Sequence, residues 1–189
     1  MKKDTVIQFV GFATKLDFDE FLPQWKEYVS QFMKLSGTRL VQRQTETKNS
    51  FKYISQHELP DTGFRFNFMK GRNSEHFPEQ RVKVIQAGGY IPLQIEYNKQ
   101  PAKGQVKLMV LISQNEYDID FYRQTPLIAH LNIYQAYYEN CTYGHILELF
   151  TTEANAPLIL EQLQSRTGTD AALYKDCELP KQRSLQQAH

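Results

Sequence analysis

The chain has 189 residues, 41% of them hydrophobic and 13% aromatic, with 22 basic against 21 acidic side chains. That is enough apolar material for one large domain or two small ones, and a net charge of +1 without a block of like charge leaves no electrostatic footprint for nucleic acid. The longest apolar runs, such as Val106 to Ile112, are far too short to span a bilayer, and Gln8, Thr14, Lys15 and Asp17 break up the N-terminal segment before it could serve as a signal-peptide core.

Residues 5–13, TVIQFVGFA, read as a largely buried strand. In the segment that follows, Phe18, Phe21, Leu22, Trp25, Tyr28, Val29 and Phe32 recur at helical spacing. Asp17 with Glu20 three residues on makes a capping pair, and Gly37 suits the end. Pro23 means either that the helix starts near it or that its first turns are kinked. Residues 38–46 and 50–59 alternate apolar and polar, as a hairpin does, and so does 64–69. Residues 72–80 are polar and leave room for only a short helix. Residues 81–87 and 90–98 read as two strands around the Gly88-Gly89 turn.

Residues 98–105, NKQPAKGQ, are the most linker-like stretch, and VKLMVLI at 106–112 is the most strand-like. Residues 116–131 are loosely helical, with Thr125-Pro126 able to open a second short helix. Strands at 132–140 and 143–151 meet at Cys141-Thr142. A helix follows at 156–166, capped by Asn155, and a last strand at 170–179. Residues 181–189 form a polar tail. Cys141 and Cys177 are the only cysteines and form no metal-ligand spacing, so free thiols, a cytoplasmic location and no metal site are expected.

Residues 106–179 therefore spell β-α-β-β-α-β, and residues 5–97 follow nearly the same plan with a weak second helix and an extra strand. The expected fold class is α+β, as two ferredoxin-like halves at 1–97 and 106–180 joined by the 98–105 linker. Such a unit lays both helices on one face of an antiparallel sheet and leaves the other bare. A second sheet covering the bare face is the economical solution.

On this element order, the chain resembles the dimeric α+β barrel superfamily. VKLMVLI followed by DFYRQTPLIAHL resembles the start of an EthD-type domain. FLPQWKEYVSQF with Ser36-Gly37 resembles the first helix of an antibiotic-biosynthesis-type monooxygenase. The resemblance implies a pocket between sheet and helices. It implies a small-molecule protein, with a cofactor-independent monooxygenase or isomerase acting on an aromatic or polyketide-like compound as the leading activity. A non-catalytic binding or structural module is the alternative. Haem binding or degradation is a third reading, carried by His76, whose polar surroundings supply no apolar wall. No cofactor is expected. The expected partner is a small-molecule ligand, with neither nucleic acid nor membrane, and a homodimer is left open.

Candidate chemistry gathers in two sets. If their faces converge, His130, His145 and Tyr138 form a catalytic group, with Tyr122, Arg123 and Tyr134 as ligand-binding neighbours. Histidine would act as base, and tyrosine or arginine would stabilise an enolate. In the first half, Trp25, Tyr53, His57, Arg65 and Asn67 form a comparable set. Packing is the competing role for each aromatic residue, Trp25 above all, because it lies on a helix's apolar stripe.

Overall fold

The structure, a computed structural model, describes residues 5–30, 38–46, 51–59, 81–97, 101–113, 118–137 and 141–177. Alternating apolar positions give each extended segment two faces to bury. Among the described residues the outcome is β1 (Val6–Thr14), α1 (Phe18–Ser30), β2 (Arg39–Arg43), β3 (Tyr53–Leu59), β4 (Val82–Ile95), β5 (Gln105–Ser113), α2 (Ile119–Gln124), β6 (His130–Ala136), β7 (Tyr143–Thr152), α3 (Ala156–Gln164) and β8 (Thr169–Asp176).

The strands pair antiparallel and close into an eight-stranded barrel in the order β1-β3-β2-β8-β5-β7-β6-β4. Around the ring, β4-β1-β3-β2 is followed by β8-β5-β7-β6. Each run places its fourth, first, third and second strands side by side. Closure leaves no free sheet edge in the barrel.

Period-two alternation sorts the side chains into three layers. Val6, Val10, Phe12, Leu40 and Tyr53 face outward and pack under Phe21, Trp25, Tyr28 and Val29 of α1. Leu108, Val110, Ile112, Leu147 and Leu149 face outward under α2 and α3, against Tyr122, Ile159 and Leu163. The inward residues of both runs, including Phe9, Val41, Ile54, Tyr90, Met109, Leu111, Tyr134 and Ile146, fill the lumen. Near Phe9, Phe51, Leu111 and Tyr143 the lumen keeps a void of about 10 Å³, room for no more than one water molecule.

The capping pair is in place. Glu20 N–H donates to Asp17 Oδ1 at 2.9 Å, and Asp17 N–H to Glu20 Oε2 at 3.4 Å. Pro23 lies inside α1, in its second turn, where its ring replaces the N–H that would have met the Asp19 carbonyl.

Three local expectations are corrected. Gly88-Gly89 is not a turn, because β4 runs unbroken from Val82 to Ile95. Its first part pairs with β1 and its last with β6. Gly88 is there for space: a Cβ would lie 2.9 Å from the Tyr90 ring and 3.0 Å from Cys141 Sγ. The helix read into 116–131 spans only Ile119–Gln124, capped by Asp118, whose Oδ1 accepts from Phe121 N–H at 3.3 Å. Thr125-Pro126 opens no second helix, since Thr125 is the extended C-cap of α2 and Pro126 stands in a turn. The expected strand at 64–69 and the second helix of the first half lie outside the described residues. No helix among the described residues is long and apolar enough to cross a membrane.

Candidate functional site

The two outward layers differ in chemistry. Beneath α2 and α3 the centre of the sheet is aliphatic, with Leu108, Val110, Leu147, Leu149 and Ala171, and the buried polar residues of that face, His145, Thr151 and Thr169, lie toward the ends of β7 and β8. Beneath α1 it is interrupted by Gln8, Ser55 and His57, at 0%, 0% and 1% exposure. Gln8 is buried because it alternates with Val6 and Val10 on a strand whose other face is also covered. The register sets it between His57 of β3 and Gly89 of β4, so one neighbour is an imidazole and the other has no side chain.

His57 is held by two hydroxyls. Its Nε2 lies 2.7 Å from Ser55 Oγ and its Nδ1 3.2 Å from Thr38 Oγ1. Burial opposes a charge here and lowers its pKa from 6.5 to about 3. The ring is therefore neutral near pH 7. One nitrogen donates to a hydroxyl and the other accepts from one. Trp25 of α1 stacks over it, with ring centroids 6.5 Å apart and planes inclined by 21°. Phe21 stacks on Tyr53 at 4.2 Å beside this group and fixes the helix against the sheet.

Within this cluster three polar sites meet nothing. Both amide ends of Gln8 and the Trp25 indole N–H are buried and have no hydrogen-bond partner among the described residues. An unmet buried group costs on the order of 1–3 kcal/mol, and buried polar atoms in native proteins are nearly always paired. A buried amide with both ends unmet, in register with a neutral imidazole over which an unmet indole lies, is chemically competent to grip an uncharged hydrogen-bonding molecule. Lys107 and Glu148, the buried ionic side chains among the described residues, belong to the lumen instead.

The depressed His57 pKa has a measurable consequence. Below pH 6.5 the unfolded imidazole takes a proton that the native one refuses until about pH 3. Stability therefore rises with pH across that window, by up to about 1.4 kcal/mol per pH unit. Urea midpoints taken at pH 4, 5, 6 and 7 should fall toward acid, and the fall should be shallower in His57→Asn.

The sequence-derived residues are not gathered in one pocket. His130 and Tyr134 alternate with Asn132 on the lumen side of β6. His130 stacks on Tyr97 at 4.8 Å, and Tyr134 donates to Glu148 Oε2 at 3.0 Å. His145 lies on the opposite, outer face, in register with Ile112, and burial lowers its pKa. Strict alternation would put Tyr143 on that face too. A register shift between Ile112 and Ser113 turns it inward, where it packs with the lumen cluster. Tyr122 is buried in the outer layer, and burial raises its pKa. Arg123 is exposed and donates to Gln94 Oε1 at 2.9 Å. In the first half, Trp25, Tyr53 and His57 do come together in one layer. Tyr138, Arg65, Asn67 and His76 lie outside the described residues.

Gln8, Ser55 and Thr38 were missed. The signal for Gln8 was legible: one amide inside VIQFV, a strand too apolar to have a wet face. Lys107 and Glu148 were missed in the same way. Each is a single charge inside an apolar strand.

No protein-family model and no curated protein matches the sequence. Among solved structures, the chain is similar to a candidate monooxygenase of Fusobacterium nucleatum, at 13% identity over 94% of each chain with a TM-score of 0.49. It is also similar to a candidate monooxygenase of Lactobacillus acidophilus, at 9% identity over 91% of this chain and 93% of the other, TM-score 0.44. A third is the pair of first RRM domains of the yeast poly(U)-binding protein, at 12% identity over 93% and 99%, TM-score 0.29.

Proposed function

We propose that the protein binds a small uncharged organic molecule between α1 and the sheet, against Gln8, Trp25 and His57. The observation that carries this reading is the buried Gln8 amide, unmet at both ends. Gln8 offers an acceptor and two donors side by side, and Trp25 adds a donor. The complementary ligand has a carbonyl next to a hydroxyl or N–H and is flat enough to lie along an indole. Hydroxyquinones and aromatic polyketide-like compounds have this form.

In the same reading the chain is two ferredoxin-like halves, one keeping the site and the other serving as scaffold. The repeated strand order and the aliphatic centre of the second layer support it. Oxygenation or isomerisation of such a ligand by proton abstraction needs a base that is effective near neutral pH. His57, with a pKa of about 3, is too weak a base at neutral pH to favour that step, so binding is the reading preferred here over catalysis by proton abstraction.

Trp25 is the single tryptophan, so intrinsic fluorescence reports on the site directly. Titration with a panel of hydroxyquinones and hydroxylated aromatic ketones should give a saturable change for at least one member. Gln8→Leu should weaken that member about tenfold or more, the loss of one to two hydrogen bonds. A panel without any saturable response, or one to which Gln8→Leu responds like the wild type, refutes the proposal.

A further inference from the structure

A cluster of charges joins β5, β7 and β8 inside the barrel. Lys107, buried to 1%, is shared between two carboxylates: its Nζ lies 2.8 Å from Asp176 Oδ1 and 3.6 Å from Glu148 Oε1. Glu148 is otherwise well served, by Gln56, Asn132 and Tyr134 at 2.8, 2.9 and 3.0 Å, and it also feels the charge of Arg39. Asp176 is not. Its second oxygen, Oδ2, is buried without a partner among the described residues. The side chain is 11% exposed and lines a groove of about 420 Å³ with Tyr174, Gln44, Gln105 and Glu153.

A volume of that order holds a small molecule. A carboxylate oxygen with no donor, set in a low-dielectric floor, is a strong acceptor for a charge-assisted hydrogen bond. Glu153 adds a second negative charge on the groove wall, and the largely buried Tyr174 borders it. Lys107 and Lys175 also line the groove and offset its two carboxylates, so it has room for at most one further ammonium, on the Asp176 oxygen that Lys107 does not hold.

We infer that this groove binds a small primary ammonium compound, its –NH₃⁺ donating to Asp176 Oδ2 and its body lying in the groove beside Tyr174. The site is independent of the one under α1, since the two share no residue.

The test uses the whole chain and three probes of similar size: n-butylamine, n-butanol and butyrate. Two-dimensional NMR should show saturable shifts of Asp176, Tyr174 and Lys107 resonances with the amine only. Asp176→Asn keeps a carbonyl for Lys107 but loses the anionic acceptor, and should weaken binding about tenfold or more. Glu153→Gln, at an exposed wall position, should weaken it about two- to threefold, so the question stays answerable if Asp176→Asn does not fold. Equal shifts with the alcohol or the acid, no shifts with the amine at tens of millimolar, or wild-type affinity in Glu153→Gln and in any folded Asp176→Asn would each overturn the inference.

Discussion

Lys107→Met should be among the most destabilising single changes in the barrel, by about 3–5 kcal/mol. The substitution keeps chain length and apolar stem but removes the ammonium from between Glu148 and Asp176. Glu148, fully buried, would then be left to neutral donors and the charge of Arg39. Burial by itself pushes the Glu148 carboxyl up, yet Lys107, Asn132, Gln56 and Arg39 together outweigh it and hold its pKa below 4.5. A carboxylate with a depressed native pKa adds stability above its unfolded value and loses it as pH falls through the native one. Removing Lys107 should therefore lower the urea midpoint at pH 7 and shrink its acid dependence. For a chain of this size the melting temperature should drop by roughly 6–20 °C. Glu148→Gln, which leaves Lys107 its shorter bond to Asp176, should cost clearly less. Because Gln56 and Glu148 belong to different runs of strands, this network also fastens one side of the ring to the other.

Gln8→Leu should do the opposite and raise stability. Ordinarily a buried amide replaced by an aliphatic group loses its hydrogen bonds. Here there are none to lose, and Leu is similar in size and apolar like its neighbours Val6 and Val10. Relief of the unmet amide is worth on the order of 1–3 kcal/mol, or roughly 2–12 °C in melting temperature. Gain of stability with loss of ligand response is the pattern of a residue kept for a site and not for the core. Gln8→Ala would instead leave a cavity and is the wrong comparison. Differential scanning fluorimetry and urea melts of wild type and Gln8→Leu give the sign of the change.

Much of the architecture was legible because it follows from alternation and spacing. The apolar stripe from Phe18 to Val29 formed the helix face it implied, and Asp17 with Glu20 capped it. The need to cover a bare sheet face is met by closure, with Phe9, Tyr90, Met109 and Ile146 meeting in the lumen. What failed depended on partners distant in sequence. Gly-Gly reads as a turn in isolation, yet Gly88 is dictated by the Tyr90 ring and by Cys141, more than fifty residues away. A one-residue bulge in β7, opposite Ile112 and Ser113, put Tyr143 and His145 on opposite faces, and strand parity cannot anticipate it. The sites were legible only in part. Trp25 and His57 were in view, but the second-half histidines drew attention because titratable residues stand out in a sequence. The decisive feature was a neutral amide with nothing to bond.

The central claim is that the layer under α1 holds the aromatic ligand and the layer under α2 and α3 does not. The most direct measurement is an NMR titration of the labelled chain with the panel member that quenches Trp25. The expected result is a shift of the single indole N–H resonance together with the Gln8 side-chain amide and the His57 ring, while the methyl signals of Leu108, Leu147 and Leu149 stay in place. Shifts centred on those leucines, with the indole and the Gln8 amide unmoved, would contradict it.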